Sequence, residues 1–138
     1  MFNTKFIEWK ERYSVGHDDL DEDHQEIISI INDLWSILKA EPTPGQVLEI
    51  LDRLLEYTET HFQREQQVMV DHQYPDLVRH KGLHSRMVQR TRELHAKAVS
   101  NHSEISEESM TFLKDWWIDH ILAQDSRYKP YILGTAVK

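Results

Sequence analysis

The chain predicts an all-α fold, an up-down-up-down antiparallel four-helix bundle, on three observations. Apolar residues recur at steps of three and four along most of its length. No segment shows the period-two alternation of a half-buried strand. Its 138 residues include only 4 Gly and 4 Pro, few for a fold built on tight turns. A chain of that length buries one core rather than two. We therefore expect one domain over residues 1–138, with an N-terminal arm of about 1–18, helices within about 19–126 and a C-terminal extension of about 127–138.

The first helix is expected from about Asp19 to Lys39, where Ile27, Ile28, Ile31, Leu34, Trp35 and Leu38 make one apolar stripe. His24 lies on that stripe one turn earlier. Thr43-Pro44-Gly45-Gln46 then reads as a capping box, with Thr43 as N-cap, Pro44 at the first helical position and Gln46 reaching back. The second seam follows through Val47, Leu51, Leu54, Thr58, His61, Glu65 and Val68. Proline near Tyr74-Pro75-Asp76 suits the start of a third helix, whose seam is Leu77, His80, His84, Met87, Thr91, Leu94 and Ala98. The polar stretch Ser100-Asn101-His102-Ser103 precedes the fourth. Its N-cap is Ser103 or Ser106, and its apolar face includes Met110, Leu113, Trp116, Trp117, His120 and Ile121.

Composition excludes several classes of function. A net charge of -8 opposes nucleic acid and anionic membranes, both of which present phosphates. The absence of cysteine removes disulfides, thiolate metal sites, iron-sulfur clusters and cysteine nucleophiles. No stretch has the length of a signal-peptide core or of a membrane span. The expectation is a cytoplasmic protein without direct membrane insertion.

Short connections make the helices antiparallel neighbours. His24 near the start of the first helix, His61 and Glu65 near the end of the second, His80 and His84 near the start of the third and His120 near the end of the fourth then share one end of the bundle. At about 1.5 Å of rise per residue all lie within about three turns of that end. His61 with Glu65, and His80 with His84, are four apart and face the same way. An uncompensated Glu65 on such a seam costs several kcal/mol, and a shared cation removes that cost. A carboxylate follows the last histidine, but five residues of α-helix leave Asp125 about 140° from His120. Asp125 and Asp119 are therefore rivals on spacing alone. With Asp125, five imidazole nitrogens and four carboxylate oxygens make nine donors, too many for one cation. Two six-coordinate cations sharing a small bridging oxygen keep one open position. His17, His72, His95 and His102 fall off the seams and are read as solvated.

In order, the chain contains Trp9, Tyr13-Ser14-Val15-Gly16, Asp21-Glu22-Asp23-His24, His61-Phe62-Gln63-Arg64-Glu65, Tyr74-Pro75, His80-x-x-x-His84 and Trp116-x-x-x-His120-Ile121-x-x-x-Asp125. This series resembles the hemerythrins, in particular the single-domain bacteriohemerythrins, over nearly the whole chain. The resemblance selects Asp125 over Asp119. It implies two iron ions with an oxo or hydroxo bridge, one held by His80, His84 and His120, the other by His24 and His61, and both bridged by Glu65 and Asp125. It further implies reversible binding of dioxygen as peroxide at the five-coordinate iron, with Trp117 and Ile121 lining the oxygen pocket.

Two departures from the family pattern stand out. Trp117 occupies a position where leucine is common; it either narrows the pocket or turns outward into a helix interface. Gln66 replaces a second glutamate, a change expected to matter little. The implied role is oxygen transport, storage or delivery by a monomer, with dioxygen and an oxygen-consuming protein as partners, and not enzymatic turnover. The alternatives are a di-iron oxidase or peroxidase, an oxygen or nitric oxide sensor, and an iron buffer. Imidazole and carboxylate donors also suit zinc and manganese.

Overall fold

The computed structural model describes residues 6–101 and 105–134. It is an antiparallel bundle of four long helices, α1 (Asp18–Leu38), α2 (Pro44–Asp71), α3 (Leu77–Asn101) and α4 (Glu107–Asp119), followed by a π turn (His120–Gln124), a 3-10 turn (Asp125–Arg127) and the short α5 (Lys129–Ile132). A 3-10 turn at Glu11–Tyr13 lies in the N-terminal arm.

Local chemistry sets the helix starts. At α2 the capping box closes as expected, with Gln46 N–H donating to Thr43 Oγ1 at 3.3 Å and Thr43 N–H donating to Gln46 Oε1 at 2.9 Å. Ser106 caps α4 by accepting from Ser109 N–H at 3.1 Å; the rival cap Ser103 and the histidine His102 lie outside the described residues. His17, expected to be solvated, is the cap of α1, its Nδ1 accepting from Leu20 N–H. His95, also expected to be solvated, is half-buried and sits 2.7 Å from Asp52.

The stripes meet in a core that holds Ile27, Ile31, Leu34, Leu51, Leu54, Met87, Met110 and Leu113. At the other end a second apolar group, Val15, Leu20, Met69, Tyr74 and Tyr128, closes the bundle. The polar seam residues lie between these two layers, so both sides of that level are dry. The N-terminal arm and the C-terminal segment touch there. Gly16 adopts φ +79, and a Cβ on it would meet Leu133 Cδ2 at 3.0 Å, so its lack of a side chain serves both the backbone angle and the close approach.

Candidate metal centre

All seven seam residues, His24, His61, Glu65, His80, His84, His120 and Asp125, are buried. Five arrive on regular helix by three-and-four spacing, and His120 is the first residue of the π turn that ends α4. Asp125 arrives by a local distortion: its N–H donates to His120 O, five residues back, across the π turn. The wider turn brings the fifth residue back over the first, which regular α geometry does not do. Asp119, the rival carboxylate, is exposed.

The two carboxylates divide the imidazoles into two groups. Glu65 Oε1 lies 2.9 Å from His84 Nε2 and 3.2 Å from His80 Nε2, and Asp125 Oδ1 lies 3.0 Å from both His80 Nε2 and His120 Nε2. The other oxygens face the opposite way. Glu65 Oε2 is 3.0 Å from His61 Nε2 and 3.4 Å from His24 Nε2, and Asp125 Oδ2 is 3.2 Å from His24 Nε2. Three imidazoles thus flank one pair of oxygens and two flank the other.

The separations are those of hydrogen bonds, but the directions mostly are not. Among the described residues, Nε2 of His24, His61, His84 and His120, and both Asp125 oxygens, lack a hydrogen-bond partner. Such buried orphans are costly. Two donors each about 2.1 Å from one cation and at right angles to each other lie about 3.0 Å apart, so the spacing fits the edges of a coordination polyhedron. Donor atoms of Glu65, His80, His84, His120 and Asp125, and of His24, His61 and Glu65, form two groups in which all members lie within 4.8 Å of one another. Either group could hold a cation.

Without a cation, protons take its place. Burial alone lowers the affinity of His24 and His80 for protons, but Asp125 and Glu65 override it and raise these imidazoles to about 10 and about 9. Burial prevails at His84 and lowers it. Burial favours the neutral form of Glu65 and Asp125, yet the surrounding imidazoles hold both below the ordinary carboxylate range. Apart from His84, where burial prevails, the shifts have the sign of a cluster short of positive charge.

Three neighbours have contacts with the site that the sequence does not assign to them. Asp23 is buried, accepts from His61 Nδ1–H at 2.9 Å and from Tyr57 O–H at 3.0 Å, and pairs with Arg64. Its phase with Leu20 and Ile27 was a readable signal. Gln66, expected to matter little, has its amide nitrogen 2.9 Å from His84 Nδ1. With a cation on Nε2 the proton resides on Nδ1, so the amide presents its oxygen instead. Tyr128, placed in the extension, is buried and donates its hydroxyl to Glu65 Oε2 at 3.0 Å. No periodicity pointed to it. Of the two pocket candidates, Trp117 turns inward, with its ring 5.6 Å from Phe62, 6.4 Å from His61 and 6.3 Å from His120, and Ile121 is buried beside it in the same core.

Fold and donor set together define a helical cation-binding bundle. Residues 15–132 match the hemerythrin HHE cation binding domain, and the chain belongs to the hemerythrin family. It is 29% identical over 120 residues to a bacteriohemerythrin of Stenotrophomonas maltophilia, covering 87% of this chain and 77% of that one. It is 32% identical over 122 residues to a myohemerythrin of Theromyzon tessulatum, covering 88% and 90%. A crystal structure of wild-type hemerythrin superposes with a TM-score of 0.84 at 25% identity, over 95% of this chain and 99% of that one.

Proposed function

We propose that the protein holds two iron ions and binds dioxygen reversibly, for transport, storage or delivery. The observation that carries this reading is the uneven division of imidazoles, three against two, about a shared pair of carboxylates. His80, His84 and His120 would hold one ion and His24 and His61 the other, with Glu65 and Asp125 shared between them. The two-imidazole side is one donor short, which leaves a place for a small ligand. Two ferrous ions supply the pair of electrons that binding dioxygen draws on.

The chain's own residues supply the rest. Asp23 keeps the His61 proton on Nδ1 and so turns Nε2 inward. Phe62, Trp117 and Ile121 surround the donors with apolar surface and exclude water, which limits protonation and loss of the bound molecule. Binding rather than turnover also suits the donor balance, since ferritin-like di-iron proteins rely on glutamates with Glu-x-x-His motifs. No described helix is long and apolar enough to cross a membrane.

The test is anaerobic reduction followed by exposure to air, with iron analysis and visible absorption. Two irons per chain and a band that disappears on removing oxygen are expected. Rapid, irreversible oxidation with release of hydrogen peroxide would instead identify an oxidase. The variant His61→Ala is expected to lose most of the iron on its side, and full loading would refute the assignment of ligands.

A further inference from the structure

We propose that Tyr128 is a positioning residue that biases the metal pair toward its reduced state through Glu65. The proposal rests on the two-iron reading above and adds a function for the C-terminal segment. Its phenol is a neutral donor at the centre of the site, 3.0 Å from Glu65 Oε2, and both residues are buried. That oxygen is the one turned toward His61 and His24. The hydrogen bond therefore acts on the side that carries two imidazoles rather than three.

Metal binding makes this contact more important. Nε2 atoms that ligate cations point lone pairs at them and have no proton to offer a carboxylate. Once His24, His61, His80 and His84 are so engaged, the Tyr128 hydroxyl is the donor still facing Glu65. Asp125, proposed as the second bridge, has no hydrogen-bond partner on either oxygen among the described residues. The two bridges are thus unequal. A hydrogen bond to Oε2 draws charge from that oxygen, weakens its donation to the adjoining iron and favours ferrous over ferric.

The geometry also fixes the phenol. Tyr128 N–H donates to Asp125 O at 3.2 Å, tying it to the turn that carries the other bridge. Its ring meets Tyr74 edge-on at 6.1 Å and lies 5.8 Å from His80. Lys129 Nζ donates to Ser14 O at 3.1 Å, which anchors the next residue to the N-terminal arm.

The experiment compares the iron-loaded protein with Tyr128→Phe, which keeps the ring and removes only the donor, and with 3-fluorotyrosine placed at 128, a stronger donor of nearly the same shape. Iron per chain and the midpoint potential are measured on each. Tyr128→Phe is expected to keep two irons and shift the one-electron equilibrium toward ferric by up to about tenfold, a potential lower by about 59 mV. The fluorinated variant moves it the opposite way. If Tyr128→Phe loads poorly, the sign of the fluorotyrosine shift decides. Two irons with an unchanged potential in the variants overturn the role of Tyr128 and leave the two-iron reading intact. Failure of the unaltered chain to take up two irons overturns that reading itself.

Discussion

Asp23 shows how much a single buried carboxylate can do without touching a cation. It accepts from His61 Nδ1–H, Tyr57 O–H and Arg64. Burial would raise its carboxyl, but His61, Tyr57 and Arg64 hold it below its ordinary value, so it stays ionised at neutral pH. An ionised partner on Nδ1 makes the imidazole a stronger donor at Nε2 and fixes its orientation. Asp23→Asn keeps the shape and removes the charge. It is expected to weaken metal binding about 10- to 100-fold, mainly at the two-imidazole position, with little change in helix content. Competitive titration against a chelator measures this. Equal affinities for both positions in variant and parent would remove Asp23 from the site. The residue is readable in the sequence, since it lies three residues after Leu20 and four before Ile27, the spacing of one helix face.

At the level of elements, what the sequence discloses depends on whether regular geometry applies. The capping box of α2 and the seams of α2 and α3 are matters of spacing, and the structure follows them from Val47 to Glu65 and from His80 to Thr91; Val68 is half-buried with Met69 buried beside it, and Leu77 and Leu94 are half-buried. The π turn is not. Nothing in His120-Ile121-Leu122-Ala123-Gln124-Asp125 marks a wide turn, and α geometry points Asp125 away from His120, so the family resemblance alone selected it. Tyr128 was illegible for another reason. Its burial depends on Val15 and Leu20, which are more than a hundred residues away in sequence and are brought to it only by the completed bundle. The capping box separates helix stability from the site. Thr43→Ala is expected to cost about 1 kcal/mol, a fall of about 4 °C in Tm for a domain of this size. Thr43 lies 18 residues from His61 along α2, about 27 Å away, so iron content should not change. A calorimetric scan with iron analysis checks both halves. Loss of iron in this variant would mean that the two ends of α2 are coupled.

For the whole molecule, the buried donors make stability depend on what fills the centre. In the metal-free protein, His24 at about 10 and His80 at about 9 hold protons more tightly than the ordinary 6.5. Their contribution is therefore complete below about pH 6.5 and is lost as the pH rises through 9 and 10. Glu65 and Asp125, held below their ordinary values of 4.5 and 3.8, contribute with the opposite sense. Their share is present above those values and is lost as the pH falls through the lower folded ones. The metal-free chain is thus most stable in mildly acidic solution and weakens toward alkaline pH. Cations reverse the alkaline half, because they bind deprotonated imidazoles and compete with protons. Loading at neutral pH should release at least two protons, one each from His24 and His80 with a further share from His61, which Glu65 and Asp23 raise against burial; titration calorimetry in buffers of different ionisation enthalpy can count them. The Tm gained on loading should widen from about pH 6 to about pH 9, since the metal-free form loses stability there while the loaded form keeps it. Parallel melting curves over that range, with no proton release, would show that these imidazoles do not exchange protons for metal. The same measurement on His24→Leu separates the two contributions, since the widening should shrink while the part due to His80 remains.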